Sequence, residues 1–145
     1  MNVKAPPRLM FELRDVLRRL SGAGLERIWE RTWGVGGPHN KGPVNRALLA
    51  ELAASLAATP PDADPAVPAG RALHFLVYRR PFWDCNKRTG WSVCVTIMTA
   101  TGHAQTLTDE AVNDLVVKVE NGELSEAETI DAVRRAFRLY RASKR

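Results

Sequence analysis

Five consecutive positions place a carboxylate, a thiol, an amide and two cations side by side: Asp84, Cys85, Asn86, Lys87 and Arg88. They lie between two apolar runs, residues 69–78 and 91–100, each of which predicts a buried helix because apolar side chains cover nearly every helical face. The second helix is expected to begin at Cys85 or Asn86. The N–H groups of a first helical turn have no partner within the helix, and the helix dipole is positive there. With Lys87 and Arg88 added, these residues predict a binding site for an anion such as phosphate.

Asn86 and Asp84 extend this prediction to a nucleotide with a metal ion. The amide of Asn86 can donate to a phosphate oxygen. Asp84 is itself an anion and would repel phosphate unless a divalent cation lay between them. Magnesium binds in this way, through one carboxylate together with phosphate oxygens. Asp84 also has a structural interpretation as a helix N-cap, with Lys87 and Arg88 as solvated first-turn residues, and the residues alone leave both interpretations open.

The whole chain, residues 1–145, predicts one all-α domain of about six or seven helices around a central buried helix. Hydrophobic residues make up 45% and charged residues 26% of the sequence, which are ordinary values for a globular protein. Helical spacing of apolar residues begins near residue 9 and continues to the C-terminal region. Residues 33–43 hold four glycines and two prolines, so they predict a loop or a short hairpin instead.

Several residues predict where helices begin and end. Pro81 restricts the residue before it, so Arg80 is expected to be extended and to end the first buried helix. Asp64 is expected to cap the start of that helix. Ser125 and Glu128 have the spacing of a capping box, which predicts the start of the last helix.

Charge and targeting signals narrow the class of protein. The net charge of +5 favours an acidic protein, a nucleic acid or a phosphate-bearing ligand as the partner. No run approaches eighteen apolar residues, and the first twenty residues lack the apolar core of a signal peptide, so we expect a cytoplasmic protein without a membrane span. Cys85 and Cys94 lie nine positions apart on one predicted helix and face different directions, so two reduced thiols are expected.

The segment RPFWDCNKRT, residues 80–89, resembles the core motif of the Fic/Doc (Fido) family in its Doc-type branch, which runs His-x-Phe-x-Asp-x-Asn-Lys-Arg-Thr. The matching positions are Phe82, Asp84, Asn86, Lys87, Arg88 and Thr89. Residues 33–43, which begin at Trp33 and end at Pro43, are similar to the flap on which the family docks a target segment. Residues 113–138 resemble the Doc-type pair of C-terminal helices. The resemblance implies an all-α Fic/Doc-like helical bundle.

The resemblance also implies an activity and its partners. Fic members transfer AMP from ATP to a protein hydroxyl. Doc-type members bind the nucleotide reversed and phosphorylate a hydroxyl on a translation elongation factor. They are toxins that a partner antitoxin neutralises. For this chain the implied cofactors are ATP or a related nucleotide and Mg²⁺, and the implied partners are an acidic antitoxin and a target protein that docks at residues 33–43.

Residue roles follow from the resemblance by position. Asp84 would bind the magnesium ion. Cys85 and Asn86, together with the helix N-terminus, would hold phosphates. Lys87 and Arg88 would bind and stabilise the transferred or leaving phosphates. Phe82 would anchor the loop in the core.

Arg80 stands where the family has its general-base histidine. A guanidinium cannot accept a proton in a protein, because its pKa exceeds about 12. Losing a general base costs on the order of 10²–10⁴ in rate. Phosphoryl transfer depends mainly on positioning and charge stabilisation, so nucleotide binding is expected to survive, and the guanidinium can itself pair with phosphate. Arg80 is therefore expected at the catalytic position with an altered role.

None of the three histidines predicts a substitute base. His74 lies on the first buried helix, six residues before Arg80, and is expected to be a hydrogen-bonded core histidine. His39 lies in the flap-like loop, where a lone histidine is usually solvated. His103 follows the second buried helix and lies at its wrong end.

Three functions stay open on the sequence. The first is a Doc-like transferase that works without its histidine or on another acceptor. The second is an inactive Fido domain that binds nucleotide or a protein partner. The third is a basic helical nucleic-acid-binding protein, suggested by a predicted stripe on the last helix formed by Arg134, Arg138, Arg141 and Arg145. Such a stripe is more often a solvated face, and it could also receive an acidic antitoxin.

Overall fold

A computed structural model of the protein describes residues 10–32 and 43–140. These residues form seven helices and two short strands, which confirms the all-α class and the predicted number of helices. In chain order they are α1 (Leu13–Arg18), α2 (Gly22–Thr32), α3 (Arg46–Ala57), α4 (Ala66–Arg79), α5 (Asn86–Ala100), β1 (His103–Gln105), α6 (Asp109–Glu120), α7 (Glu126–Ala136) and β2 (Phe137–Leu139). No helix in these two ranges is long and apolar enough to cross a membrane. Residues 33–42, which make up most of the predicted flap, lie outside the described residues.

Two helices, α4 and α5, share the centre of the fold, where the sequence predicted one. Helix α4 packs against α3, α5, α6 and α7, and helix α5 packs against α1, α2, α4, α6 and β1. The buried residues of α5 recur at spacings of three and four along its length, from Asn86 to Met98. The opposite face reaches solvent at Thr96, whose hydroxyl donates to the carbonyl oxygen of Ser92 at 2.7 Å. Helix α5 therefore buries one face, although its sequence is apolar nearly all round.

Glycine allows the central helices to approach their neighbours closely. A Cβ atom at Gly90 would lie 2.8 Å from Cγ2 of Val77, where α5 crosses α4. A Cβ atom at Gly70 would lie 2.6 Å from Cα of Ile130, where α4 crosses α7. Because interiors are packed to crystal-like density, these contacts fix the positions of both crossings.

The predicted helix starts are confirmed in their hydrogen bonds. The hydroxyl of Ser125 accepts the N–H of Glu128, and the carboxylate of Glu128 accepts the N–H of Ser125, each at 3.1 Å. The carboxylate of Asp64 accepts the N–H of Ala66 at 3.0 Å, although the N-cap position is Pro65, so this prediction is correct only to within one residue. These signals are local in sequence, which is why they could be recognised without the fold.

The strands β1 and β2 were not predicted. They show that the C-terminal region is not helical throughout, contrary to the prediction from the sequence. Helix α7 ends at Ala136, and Phe137 is already extended at φ −131° and ψ 149°. The two strands pair antiparallel, with Ala104 opposite Arg138. The predicted arginine stripe is therefore wrong where the structure describes it, because Arg134 is on a helix and Arg138 is on a strand. Its other two members, Arg141 and Arg145, lie outside the described residues.

Candidate anion-binding site

A cleft of about 780 Å³ opens at the N-terminus of α5. It is lined by Arg80, Phe82, Trp83, Asp84, Cys85, Asn86, Lys87, Arg88 and Glu120. The structure thus brings together all the candidate site residues that the sequence singled out between positions 80 and 88. It adds Trp83 and Glu120, the last residue of α6, which the sequence did not suggest.

The loop from residue 80 to residue 85 turns sharply at both ends. Arg80 lies in the left-handed region at φ 55° and ψ 59°, and Cys85 does so at φ 61° and ψ 26°. The extended conformation predicted for Arg80 is wrong, because the residue closes α4 as a left-handed C-cap in spite of Pro81. For a residue with a side chain, this region costs about 1–2 kcal/mol, so packing around the loop must hold it there.

Asn86 holds this loop closed from within. Its side chain is buried, and it makes two hydrogen bonds to one residue. Its oxygen accepts the N–H of Phe82 at 3.0 Å, and its amide donates to the carbonyl oxygen of Phe82 at 2.7 Å. The structure thus gives Asn86 a loop-closing role, and its contact with phosphate stays a prediction.

Phe82 anchors the same loop to α2. Its side chain is only 2% exposed, and its ring stacks on that of Trp29 with centroids 4.6 Å apart and planes 8° from parallel. The indole N–H of Trp29 donates to the carbonyl oxygen of Asp84 at 3.0 Å. The residue thus occupies the core position expected of an anchor, and the backbone of the cleft is fixed on a buried aromatic pair.

The N-terminus of α5 has no side-chain cap. The N-cap residue is Cys85, whose side chain accepts no hydrogen bond from the helix, and the first turn contains no acidic residue. The carboxylate of Asp84 accepts the N–H of Cys85 at 2.7 Å, one residue before the helix. Asp84 is therefore not an N-cap of the usual kind, which would bond to the second or third helical N–H group. No side chain within residues 10–32 and 43–140 is seen to accept from the first-turn N–H groups of α5, so these groups can bind an external acceptor.

Glu120 neutralises part of the positive charge in the cleft. One of its carboxylate oxygens lies 3.5 Å from a guanidinium nitrogen of Arg80, and the other lies 3.5 Å from Nζ of Lys87. The side chains of Arg80 and Lys87 are 64% and 44% exposed, so each pair contributes only about 0.2–1 kcal/mol. A polyanion can therefore displace Glu120 from both cations.

Arg88 is a cation of the cleft without a carboxylate partner among the described residues. It lines the cleft and is exposed, and no carboxylate among the described residues lies within 4.0 Å of it.

The sequence contained a signal for Glu120 that was missed. Glu120 lies at the C-terminus of a helix, where the helix dipole favours cations and disfavours a carboxylate. A carboxylate at this unfavourable position indicates that Glu120 pairs with cations from another element.

The carboxylate of Asp84 fits a magnesium ion that is brought by a nucleotide. The described residues contain no cluster of three or more His, Cys, Asp or Glu side chains that could hold a metal ion by themselves. Mg²⁺ needs only one or two protein carboxylates when phosphates and water supply its other ligands. The oxygen Oδ1 of Asp84 accepts the Cys85 N–H, and no hydrogen bond from another described residue is seen at Oδ2, which could make such a contact. Asp84 would hold the ion, and the ion would neutralise phosphate charge.

No histidine of residues 10–32 and 43–140 lines the cleft. Nε2 of His74 lies 3.1 Å from the carbonyl oxygen of Leu124, and its ring stacks on that of Tyr78, so the predicted hydrogen-bonded histidine is confirmed, but its expected place in the core is wrong because the side chain is only partly buried. His103 lies on β1 beside the hydroxyl of Thr101. His39 falls outside the described residues.

The two cysteines have different environments and no disulfide joins them. Burial raises the pKa of the Cys94 thiol far above its ordinary value, which keeps this thiol protonated and unreactive. Cys85 is partly exposed in the cleft. The prediction of two reduced thiols is confirmed.

No protein-family model matches the chain, and no curated protein shows significant similarity to it. We therefore infer the function from the cleft and from the motif of residues 80–89.

Proposed function

We propose that this protein is a Doc-like Fido-domain protein that binds the phosphates of ATP or a related nucleotide, as the magnesium complex, at the N-terminus of α5. One observation carries the proposal: an uncapped helix N-terminus opens into a cleft that Arg80, Lys87 and Arg88 line. Backbone N–H groups, a helix dipole and three cations all favour a polyanion there. Asp84 supports the magnesium complex over the free nucleotide.

The cations of the cleft also support transfer of a phosphate-containing group from the nucleotide to a protein hydroxyl, at a reduced rate. The cations of the cleft would stabilise charge on the phosphates, which is the main contribution of a protein to phosphoryl transfer. Arg80 cannot accept the proton of the attacking hydroxyl, and none of the described histidines lines the cleft. We propose that transfer is slower by about 10²–10⁴ than in a protein with a general base, or that the domain serves mainly to bind. The same proposal includes two protein partners, an acidic antitoxin that neutralises the protein and a target that docks at residues 33–43. It also includes a cytoplasmic location.

Calorimetric titration with ATP and Mg²⁺ tests the binding. Wild type is expected to bind, and Arg88→Gln is expected to weaken binding about 10- to 100-fold, since a hydrogen bond to a charged group contributes about 1.5–3 kcal/mol. Arg135→Gln serves as the matched control, because Arg135 is exposed on α7 and does not line the cleft. The absence of binding by wild type, or equal losses in both variants, would contradict the proposal.

Transfer is tested separately with ATP labelled at the α- or the γ-phosphate and incubated with a cell lysate. Label from γ-phosphate alone would indicate a kinase, and label from α-phosphate would indicate AMP transfer. Arg80→His restores the family residue and is expected to raise the rate about 10²- to 10⁴-fold. If the variant binds nucleotide but transfers nothing, the domain acts as a binding module.

A nucleic-acid-binding function has less support. Helix α7 ends before Arg138, and the guanidinium of Arg134 is already paired with the carboxylates of Asp64 and Asp131 at 2.8 and 2.6 Å. The remaining described arginines of this region do not form a stripe along one helix. Binding of DNA at physiological salt that Arg135→Gln and Arg138→Gln together abolish would restore this alternative.

A further inference from the structure

A second cleft, of about 830 Å³, adjoins the anion-binding cleft. The two share the side chains of Lys87 and Arg88. Beyond these cations the second cleft is lined by an indole, two amides, one carboxylate and two valines of α6, contributed by Trp91, Gln105, Asn113, Asp109, Val112 and Val116. A ligand whose charged end lies at the start of α5 can therefore extend into a less charged, partly apolar cleft. We refer to it as the Trp91 cleft.

Trp91 provides a flat surface held in a fixed position. It is half-buried, and its ring lies 5.7 Å from that of Phe137, at an interplanar angle of 34°. Phe137 is buried at the start of β2, so one side of the indole is supported by the core. The rest of the indole lines the cleft. An aromatic side chain fixed in this way can stack on a planar ring without losing much side-chain entropy.

The polar groups beside Trp91 match the edge of a nucleobase. The amide of Gln105 donates to the carbonyl oxygen of Leu107 at 3.1 Å, which fixes the orientation of the side chain and of its acceptor oxygen. Asn113 adds a second amide, with a donor and an acceptor. A nucleobase presents both kinds of group on one edge and two flat faces for stacking.

We infer that the Trp91 cleft binds the base of the nucleotide whose phosphates lie at the N-terminus of α5. The inference rests on the proposed nucleotide binding. Lys87 and Trp91 are four residues apart on α5, which is about one turn or roughly 5–6 Å along the axis, a distance that a ribose can bridge between phosphate and base. Trp91 would stack on the base, and Gln105 would accept a hydrogen bond from an exocyclic amine.

The test compares Mg·ATP with Mg·tripolyphosphate, which has the phosphates and no base. Wild type is expected to bind ATP about 10- to 100-fold more tightly, as stacking of one base and its hydrogen bonds would give. Trp91→Leu is expected to lose most of this difference, with the affinity for tripolyphosphate unchanged within about twofold. Trp91→Phe is expected to keep most of it, and Gln105→Leu to lose a smaller part.

The outcomes separate this inference from the proposed function. Equal affinities of wild type for the two ligands, or an unchanged ratio in Trp91→Leu and Gln105→Leu, would overturn the base site while leaving the phosphate site intact. Binding of neither ligand would overturn both. Because Trp91 contacts Phe137, the melting temperature of each variant is measured first. Gln105→Leu changes an accessible side chain of a short strand, so it provides the test if Trp91→Leu fails to fold.

Discussion

The chemistry of the cleft depends on individual residues whose environments could not be read from their neighbours in sequence. The positions of Lys87 and Arg88 at a helix start were predictable, because helix patterning and proline are local signals. The left-handed backbone of Cys85 and the contact of Glu120 with Arg80 were not, because both depend on how the loop and α6 meet in three dimensions. These two residues give the sharpest tests at this scale.

Cys85→Gly is expected to raise the free energy of unfolding by up to about 1 kcal/mol. The left-handed region costs a residue with a side chain about 1–2 kcal/mol, and the greater freedom of unfolded glycine cancels part of the gain. Thr96→Gly, at an exposed helical position of α5, is the control and is expected to lower stability by about 0.3 kcal/mol, the difference in helix propensity between the two residues. Urea denaturation measures both, and a loss of stability in Cys85→Gly would mean that the cysteine side chain itself holds the loop.

Glu120→Gln is expected to tighten the binding of Mg·tripolyphosphate by about 3- to 10-fold. The change removes a negative charge that a phosphate must displace from Arg80 and Lys87, at about 0.2–1 kcal/mol for each pair. Glu123→Gln is the matched control, because the residue is exposed just beyond α6 and does not line the cleft. Weaker binding in Glu120→Gln alone would show that the carboxylate orients the cations for the ligand, and so would contradict the account.

At the scale of elements, local sequence signals predict most of the helices. They do not predict strand pairing or helix crossings, which depend on residues far apart in the chain. Capping residues and helical spacing predicted α4, α5 and α7 near their observed starts. The strands β1 and β2 are three residues each and pair residues more than thirty positions apart, so no local pattern indicates them. The close helix crossings could not be predicted either, because the sequence does not show which residue a Cβ atom at a helical glycine would contact.

Gly70→Ala is expected to lower the free energy of unfolding by about 1–3 kcal/mol, because the new Cβ would lie 2.6 Å from the backbone of Ile130 on α7. Gly22→Ala is the matched control. Its Cβ would lie 3.9 Å from Cβ of Leu49, so helix propensity is expected to leave stability unchanged or raise it by up to about 1 kcal/mol. Equal effects of the two changes in thermal or urea unfolding would show that α4 and α7 can separate at little cost.

At the scale of the whole molecule, ion pairs of Arg134 link the residues just before α4 to α7. The guanidinium of Arg134 binds the carboxylate of Asp64 at 2.8 Å and that of Asp131 at 2.6 Å. Burial raises the pKa of Asp64, but the hydrogen bonds from Arg134 and the Ala66 N–H, together with the charges of Arg134 and His103, lower it more, so its pKa lies below the ordinary value of 3.8. A group with a lowered pKa stabilises the fold above its unfolded pKa, and this stabilisation is lost as the pH falls through the folded pKa.

Asp64→Asn is therefore expected to lower stability at neutral pH and to have a smaller effect in acid. The amide oxygen can still accept the Ala66 N–H, so the change removes mainly the charge. Because the pair is partly exposed, the loss at pH 7 is expected to be about 0.2–1 kcal/mol. The difference from wild type should shrink as the pH falls below 3.8, measured by urea unfolding across that range. A difference independent of pH would mean that the carboxylate acts through packing alone.

The central claim is that the N-terminus of α5 binds the phosphates of a nucleotide. Heteronuclear NMR during a titration with Mg·ATP tests it most directly, because each backbone N–H group reports for itself. The account predicts saturable shifts that are largest at the N–H groups of Asn86, Lys87 and Arg88, and predicts that Arg88→Gln weakens them. Shifts confined to other elements, or none at millimolar ATP, would contradict it.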